Sequence, residues 1–123
     1  MMSIKIQYLS TEDIIGIHDK IISETGGYSG IISYGNIDFI VAQMKIPKDL
    51  IRKSAILFFG ILTSHPFLDG NKRAALESMR IFLILNGSDF KSPEDEVWDK
   101  LHSISEGKLK FEEVVKWISM RVM

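Results

Sequence analysis

The stretch His65-Pro66-Phe67-Leu68-Asp69-Gly70-Asn71-Lys72-Arg73 decides how the rest of the chain is read. Before it, Leu50–Ser64 is apolar almost all round, with Ile51, Ala55, Ile56, Leu57, Phe58, Phe59, Ile61 and Leu62. A helix of that kind is buried on most sides and belongs in the middle of a fold. Pro66 disfavours helical geometry at His65, so the helix ends there. After the stretch, a second apolar helix is expected from Lys72 to Leu85, with Asn86-Gly87 as its C-terminal stop. A polar turn of nine residues is therefore held between two buried supports.

Working outward, Ile4–Leu9 alternates apolar and polar residues and predicts a short N-terminal strand. Ser10, three residues before Asp13, resembles a capping arrangement that opens a helix. Ile14, Ile17, Ile21 and Ile22 keep one face of that helix apolar to about Glu24. Gly26, Gly27, Gly30 and Gly35 then predict a flexible loop or hairpin. Helix returns over Asn36–Met44 and stops near Pro47. Ser92-Pro93-Glu94-Asp95 predicts a further helix start, with Ser92 as N-cap, Pro93 at the first position and acids in the first turn. That helix carries Val97, Trp98, Leu101 and Ile104 to about Ser105, and a last amphipathic helix holds Phe111, Val114, Val115 and Ile118. The expected fold class is all-α: a helical bundle with a short N-terminal strand and a glycine-rich flap.

The 123 residues suit one domain over 1–123, and a 46% apolar share with 25% charged residues is ordinary for a globular protein. A net charge of -1 argues against a main task of gripping nucleic-acid backbone, which wants a concentrated basic surface. The chain has no cysteine, which excludes disulfides, thiolate metal sites and cysteine nucleophiles. No signal-peptide core is visible at the start, and the apolar runs Ala55–Leu62 and Ile81–Leu85 are too short to span a bilayer. A cytoplasmic location with no membrane partner is the expectation.

Each residue of the central turn has a job in a site that handles polyphosphate. Gly70 lets the backbone approach a ligand closely, and the amides of Gly70, Asn71 and Lys72 can point at an anion. The start of the following helix adds its partial positive charge. Lys72 and Arg73 supply full charges, Arg73 with a fork suited to phosphate oxygens. Asp69 does not favour phosphate by itself, but it makes sense as a Mg²⁺ ligand, since that ion takes one or two carboxylates and completes its shell with phosphate and water. His65 is the side chain here that accepts a proton near neutral pH, the candidate general base for an attacking hydroxyl. Pro66 and Phe67 shape and fix the turn.

Taken singly, these residues read as caps, a structural histidine and a solvated Lys-Arg pair; it is their combination at this spacing that points to chemistry. A metal hydrolase built on His65 and Asp69 lacks an evident third ligand. Glu77 lies four residues after Arg73, a spacing that allows a pair on the helix surface. His18 and His102 read as structural, and Trp98, Trp117 and the methionines as core.

The stretch resembles the motif of the Fic/Doc family, His-Pro-Phe-x-(Asp/Glu)-Gly-Asn-(Gly/Lys)-x-x-Arg, and is closer still to its Doc (death-on-curing) toxin branch, His-x-Phe-x-Asp-x-Asn-Lys-Arg. The similarity extends over Leu9–His18, Gly26–Gln43 and Ile104–Trp117, with Glu106-Gly107-Lys108. It implies a transfer from a nucleotide, ATP, to a protein hydroxyl, with His65 as the base and Asp69 binding Mg²⁺. It further implies that Asn71 orients the phosphates and that Gly70, Lys72 and Arg73 form the anion pocket. The flap residues Gly27, Tyr28, Ser29 and Gly30 are expected to dock the target peptide by adding a strand.

Two departures from the Fic pattern bear on the reaction. Lys72 stands where AMP-transferring members have Gly, and Leu76 stands where they have a second Arg. The lysine crowds a phosphate that would use bare backbone, and the missing arginine removes one clamp. The resemblance thus implies the Doc mode, with the nucleotide reversed and the γ-phosphoryl transferred to a Ser or Thr hydroxyl; elongation factor Tu is the family's precedent as target. AMP transfer and a non-catalytic antitoxin-binding module are the alternatives. No intact (Ser/Thr)-x-x-x-Glu-(Gly/Asn) inhibitory motif is present, because His102 occupies the Ser/Thr position before Glu106-Gly107. The resemblance to the Doc branch implies silencing by a partner antitoxin.

Overall fold

Six helices follow one another among residues 5–123, the part of the chain that the computed structural model describes. They are α1 (Thr11–Thr25), α2 (Tyr34–Gln43), α3 (Leu50–Ser64), α4 (Asn71–Leu85), α5 (Glu94–Ser105) and α6 (Phe111–Arg121). Helix α3 is the hub: α2, α4, α5 and α6 all pack on it, and α1 closes against α2 and α4. Its buried face carries Ala55, Leu57, Phe58, Ile61 and Leu62, and α4 answers with Ala74, Ala75, Met79, Phe82 and Leu83. The small residues at 74 and 75 let the two central helices approach closely at the end where the turn between them lies. The architecture is all-α, as the periodicity predicts.

Local chemistry sets the helix ends. Ser10 and Asp13 form a capping box at the start of α1, each side chain accepting the other's backbone N–H. Helix α2 starts two residues earlier than its apolar pattern suggests, because the Ser33 hydroxyl caps Asn36 N–H at 3.1 Å. Asp49 caps α3 through Ile51 and Arg52 N–H. At the end of α4, Gly87 adopts φ 81°, and Ser88 N–H returns to the Leu83 carbonyl at 2.9 Å. The start of α5 differs from the expected cap. Pro93 is itself the cap residue with no side-chain cap bond, and the Ser92 hydroxyl donates to the Glu96 carboxylate at 2.5 Å.

The expected N-terminal strand is not formed among the described residues, and Ile4 lies outside them. A strand needs a neighbouring chain to pair with, and residues 5–10 have only one carboxamide. Asn86 Nδ2 donates to the Gln7 carbonyl and its Oδ1 accepts the Gln7 N–H, both at 2.9 Å. This supplies the two bonds that a paired strand residue would give, for one residue alone. Leu9 is nonetheless buried, and Tyr8 receives a hydrogen bond from the buried ammonium of Lys53 at 2.7 Å. Two isolated β-bridges, Ile31 with Phe67 and Phe90 with Val122, are the β-pairing among the described residues.

Candidate active site

The turn from α3 to α4 is held from beneath. Phe67 is fully buried, and the His18 ring lies parallel to it with centroids 3.8 Å apart. His18 is 1% exposed, and its Nε2 sits 2.6 Å from the Asp69 carbonyl oxygen. The sequence reading sets His18 aside as structural. It is structural, but its place is directly under the site.

Asn71 clamps the same turn from the side. Its Oδ1 accepts Phe67 N–H at 3.0 Å and its Nδ2 donates to the Phe67 carbonyl at 2.9 Å. Both polar ends of the side chain are therefore engaged in shaping the loop. The side chain expected to orient phosphates holds the backbone of the turn instead, leaving its backbone N–H for any ligand.

His65 and Gly70 bracket the loop with left-handed backbone. His65, the C-cap of α3, has φ 47° and ψ 60°, the single positive φ outside glycine among the described residues. A left-handed conformation costs a residue with a Cβ roughly 1–2 kcal/mol. Its imidazole is exposed at the mouth of the site. Gly70, the N-cap of α4, has φ 76°, and a Cβ there would meet Ile22 at 3.2 Å and His18 Nε2 at 3.5 Å. No side chain caps the N-terminus of α4, so its first N–H groups and the positive end of the helix dipole face the loop.

Asp69 links the loop to the flap. Its Oδ2 accepts Tyr28 N–H at 3.1 Å and its Oδ1 accepts Gly70 N–H at 2.8 Å. These two bonds, Tyr28 first, hold the carboxyl below its ordinary value against partial desolvation, with help from Arg73 and His18. Each oxygen keeps a further lone pair. The group is thus an ionised carboxylate able to take one cation, which fits the single-carboxylate style of Mg²⁺ binding. Among the described residues no group of three or more His, Asp or Glu stands ready to hold a metal unaided.

Arg73 turns away from Glu77, and the expected pair between them does not form. Its Nη1 donates to the Thr25 hydroxyl and to the Gly26 carbonyl at 3.2 Å. The guanidinium therefore ties the motif to the end of α1, where the flap begins. The flap itself lies along the turn: Ile32 and Ser33 N–H both reach the Pro66 carbonyl, at 2.7 and 3.1 Å, and Leu68 N–H reaches the Gly30 carbonyl at 3.0 Å. Gly27 has φ 119°, and a Cβ there would fall 2.6 Å from Asp69 Oδ2. Tyr28 is 74% exposed beyond it.

The result is a pocket of about 330 Å³ lined by His65, Asp69, Gly70, Asn71, Lys72 and Arg73, with Leu62, Leu68, Trp98 and Ser105 completing its wall. All six residues of the turn singled out for base, metal and phosphate roles meet there. The contribution of α5 was not foreseen. Trp98 is 46% exposed instead of joining the core, whereas Trp117 is buried as expected. An exposed aromatic on an otherwise amphipathic helix leaves no clear periodic signal.

A model of the Fic/Doc family matches residues 8–83, which span α1 to the end of α4 but for its last residues. The chain belongs to the Fic/Doc family. It is also similar to the protein kinase doc of Escherichia phage P1, at 34% identity over 96 residues, covering 72% of this chain and 76% of that protein. The family match thus takes in the motif of residues 65–73, the flap and the buttressing His18.

Proposed function

We propose that this Fic/Doc chain is a Doc-like toxin of a toxin–antitoxin pair, which transfers the γ-phosphoryl group of ATP to a Ser or Thr hydroxyl of a protein. The observation that carries the reading is the placing of His65 in a left-handed cap above the uncapped start of α4, with an ionised Asp69 between them. A base, an anion cradle and a cation ligand thus converge on one pocket. The similarity to a protein kinase favours phosphoryl transfer among the reactions such a pocket can serve.

In this reading the terminal phosphates rest on the backbone N–H groups of Asn71 and Lys72 at the uncapped start of α4, while the Gly70 N–H stays with Asp69. The side chains of Lys72 and Arg73 balance their charge. Asp69 holds Mg²⁺, which when bound neutralises phosphate oxygens during transfer. His65 accepts the proton of the target hydroxyl as its oxygen bonds to the γ-phosphorus and the bond to the β-phosphate oxygen breaks, releasing ADP. Gly27, Tyr28, Ser29 and Gly30 present the target peptide along the flap. Asn71 acts through the shape of the loop. By family precedent the target is a translation factor, elongation factor Tu, and an antitoxin partner supplies the inhibition. The domain is taken to run over 1–123, because α5 and α6 pack on α3 and α5 lines the pocket.

AMP transfer by the same base and cation is the second reading. It is disfavoured by Leu76, an aliphatic residue on the groove side of α4, where the AMP-transferring pattern carries a second arginine. Incubation with a bacterial lysate and ATP labelled at the γ- or the α-phosphate separates the readings. Label on protein from γ-ATP alone is the expected result. Label from α-ATP overturns the kinase reading, and no label from either, in antitoxin-free protein, leaves only a binding module.

A further inference from the structure

Arg73 is held by partners that carry no net charge. Its Nη1 donates to the Thr25 hydroxyl and to the Gly26 carbonyl, which uses both hydrogens of that nitrogen. The polarity is fixed, because the Thr25 hydroxyl gives its own hydrogen to the Ile21 carbonyl at 2.8 Å and so accepts from the guanidinium. Nη2 and Nε keep the other three of the five N–H donors. Nη2 lies beside the start of α4, where a Cβ on Gly70 would come within 3.5 Å of it and one on Gly27 within 3.4 Å.

Two carboxylates stand near and are left unpaired with it. Glu24 and Glu77 line the same groove between α1 and α4 as Thr25 and Arg73, and Glu77 has the spacing that pairs opposite charges along a helix. The guanidinium bonds to the end of α1 instead, where the last turn holds no basic residue of its own. A helix C-terminus carries only about half a negative charge, so it attracts the cation without cancelling it.

We infer that Thr25 is a positioning residue for the phosphate site, acting through Arg73. Its neutral hydroxyl holds one nitrogen of the guanidinium away from Glu24 and Glu77, and so keeps the full charge and the Nη2 edge for an anion at the start of α4. The inference rests on the phosphate reading of residues 65–73 proposed above. A carboxylate on Arg73 would occupy the fork that phosphate needs and would repel the phosphate as well. A hydroxyl does neither. The role leaves no mark in the motif, because Thr25 lies 48 residues before Arg73 and reaches it only through the packing of α1 on α4.

Calorimetric titration with Mg-tripolyphosphate, a polyanion without a nucleoside, tests this on the wild type, Thr25→Val and Thr25→Ser. Thr25 is exposed at the end of α1, so both variants are expected to fold, and circular dichroism checks it. Thr25→Val keeps the shape and removes the acceptor, and should weaken binding about tenfold, the low end for a hydrogen bond to a charged group. Thr25→Ser restores the acceptor and should bind like the wild type. In a Glu24→Gln/Glu77→Gln background, Thr25→Val should change the affinity little, because no carboxylate is left to capture Arg73. Unchanged or tighter binding by Thr25→Val, no recovery with Thr25→Ser, or the same loss once both carboxylates are gone overturns the positioning role while the phosphate site stands. Failure of the wild type to bind tripolyphosphate overturns the phosphate reading itself, and this role with it.

Discussion

At the scale of single residues, the site is held in a conformation that its own side chains would not choose. His65 adopts φ 47° without being glycine, and backbone held in such a region by its surroundings is a common mark of function. His65→Gly should therefore stabilise the fold by about 1 kcal/mol, the left-handed cost removed, while abolishing transfer. Urea denaturation measures the first effect, and a destabilised variant would show that the cap carries no strain. Asp69 offers a second residue-level test. Its folded carboxyl titrates below the ordinary value, so its bonds to Tyr28 and Gly70 are intact at neutral pH. They contribute fully above the ordinary carboxylate pKa of about 3.9 and are lost as pH falls through the lower, folded value. The Tyr28 amide resonance should shift with a midpoint below that figure, and Asp69→Asn should remove the shift. A midpoint at or above it would contradict the geometry.

At the scale of elements, the helices were legible because each advertises itself by period and cap. The end of α3 and the end of α4 follow directly from Pro66 and from Asn86-Gly87. What misled was the alternation over Ile4–Leu9, since a period of two says nothing about whether a partner strand exists. Ser92 misled in a similar way, because a hydroxyl before Pro93 looks like a cap, whereas Pro93 takes the cap position and the hydroxyl bonds the Glu96 carboxylate. The six motif residues of the pocket were legible because they fall within one stretch of nine. His18, Thr25 and Trp98 were not, since helix packing alone brings them to the motif. The flap is the element where this packing is most exposed to test. Gly27→Ala puts a Cβ against Asp69 Oδ2 in a backbone region that side chains rarely adopt. It should break the Tyr28 bond and raise the exchange rate of that amide at least tenfold, and an unchanged rate would remove the proposed link between flap and motif.

At the scale of the whole molecule, the fold is a frame of buried helices around α3 with the chemistry at one end of the α3–α4 pair. No helix among the described residues is long and apolar enough to cross a membrane. Asn86 secures the segment before α1 through its two bonds to Gln7 and a third to the Phe82 carbonyl. Asn86→Ala should cost about 1–2 kcal/mol in global stability, measured by denaturant titration, without changing nucleotide affinity. A loss of affinity would mean that the site depends on this distant corner.

The central claim is that His65 drives transfer of a terminal phosphate to a protein hydroxyl. The most direct measurement follows both products of one reaction: the mass added to the target protein, and the nucleotide released, with wild type and with His65→Ala. The account predicts one phosphate added for each ADP formed, and neither with His65→Ala. Adenylate on the protein with pyrophosphate in solution, or full activity without the histidine, would contradict it.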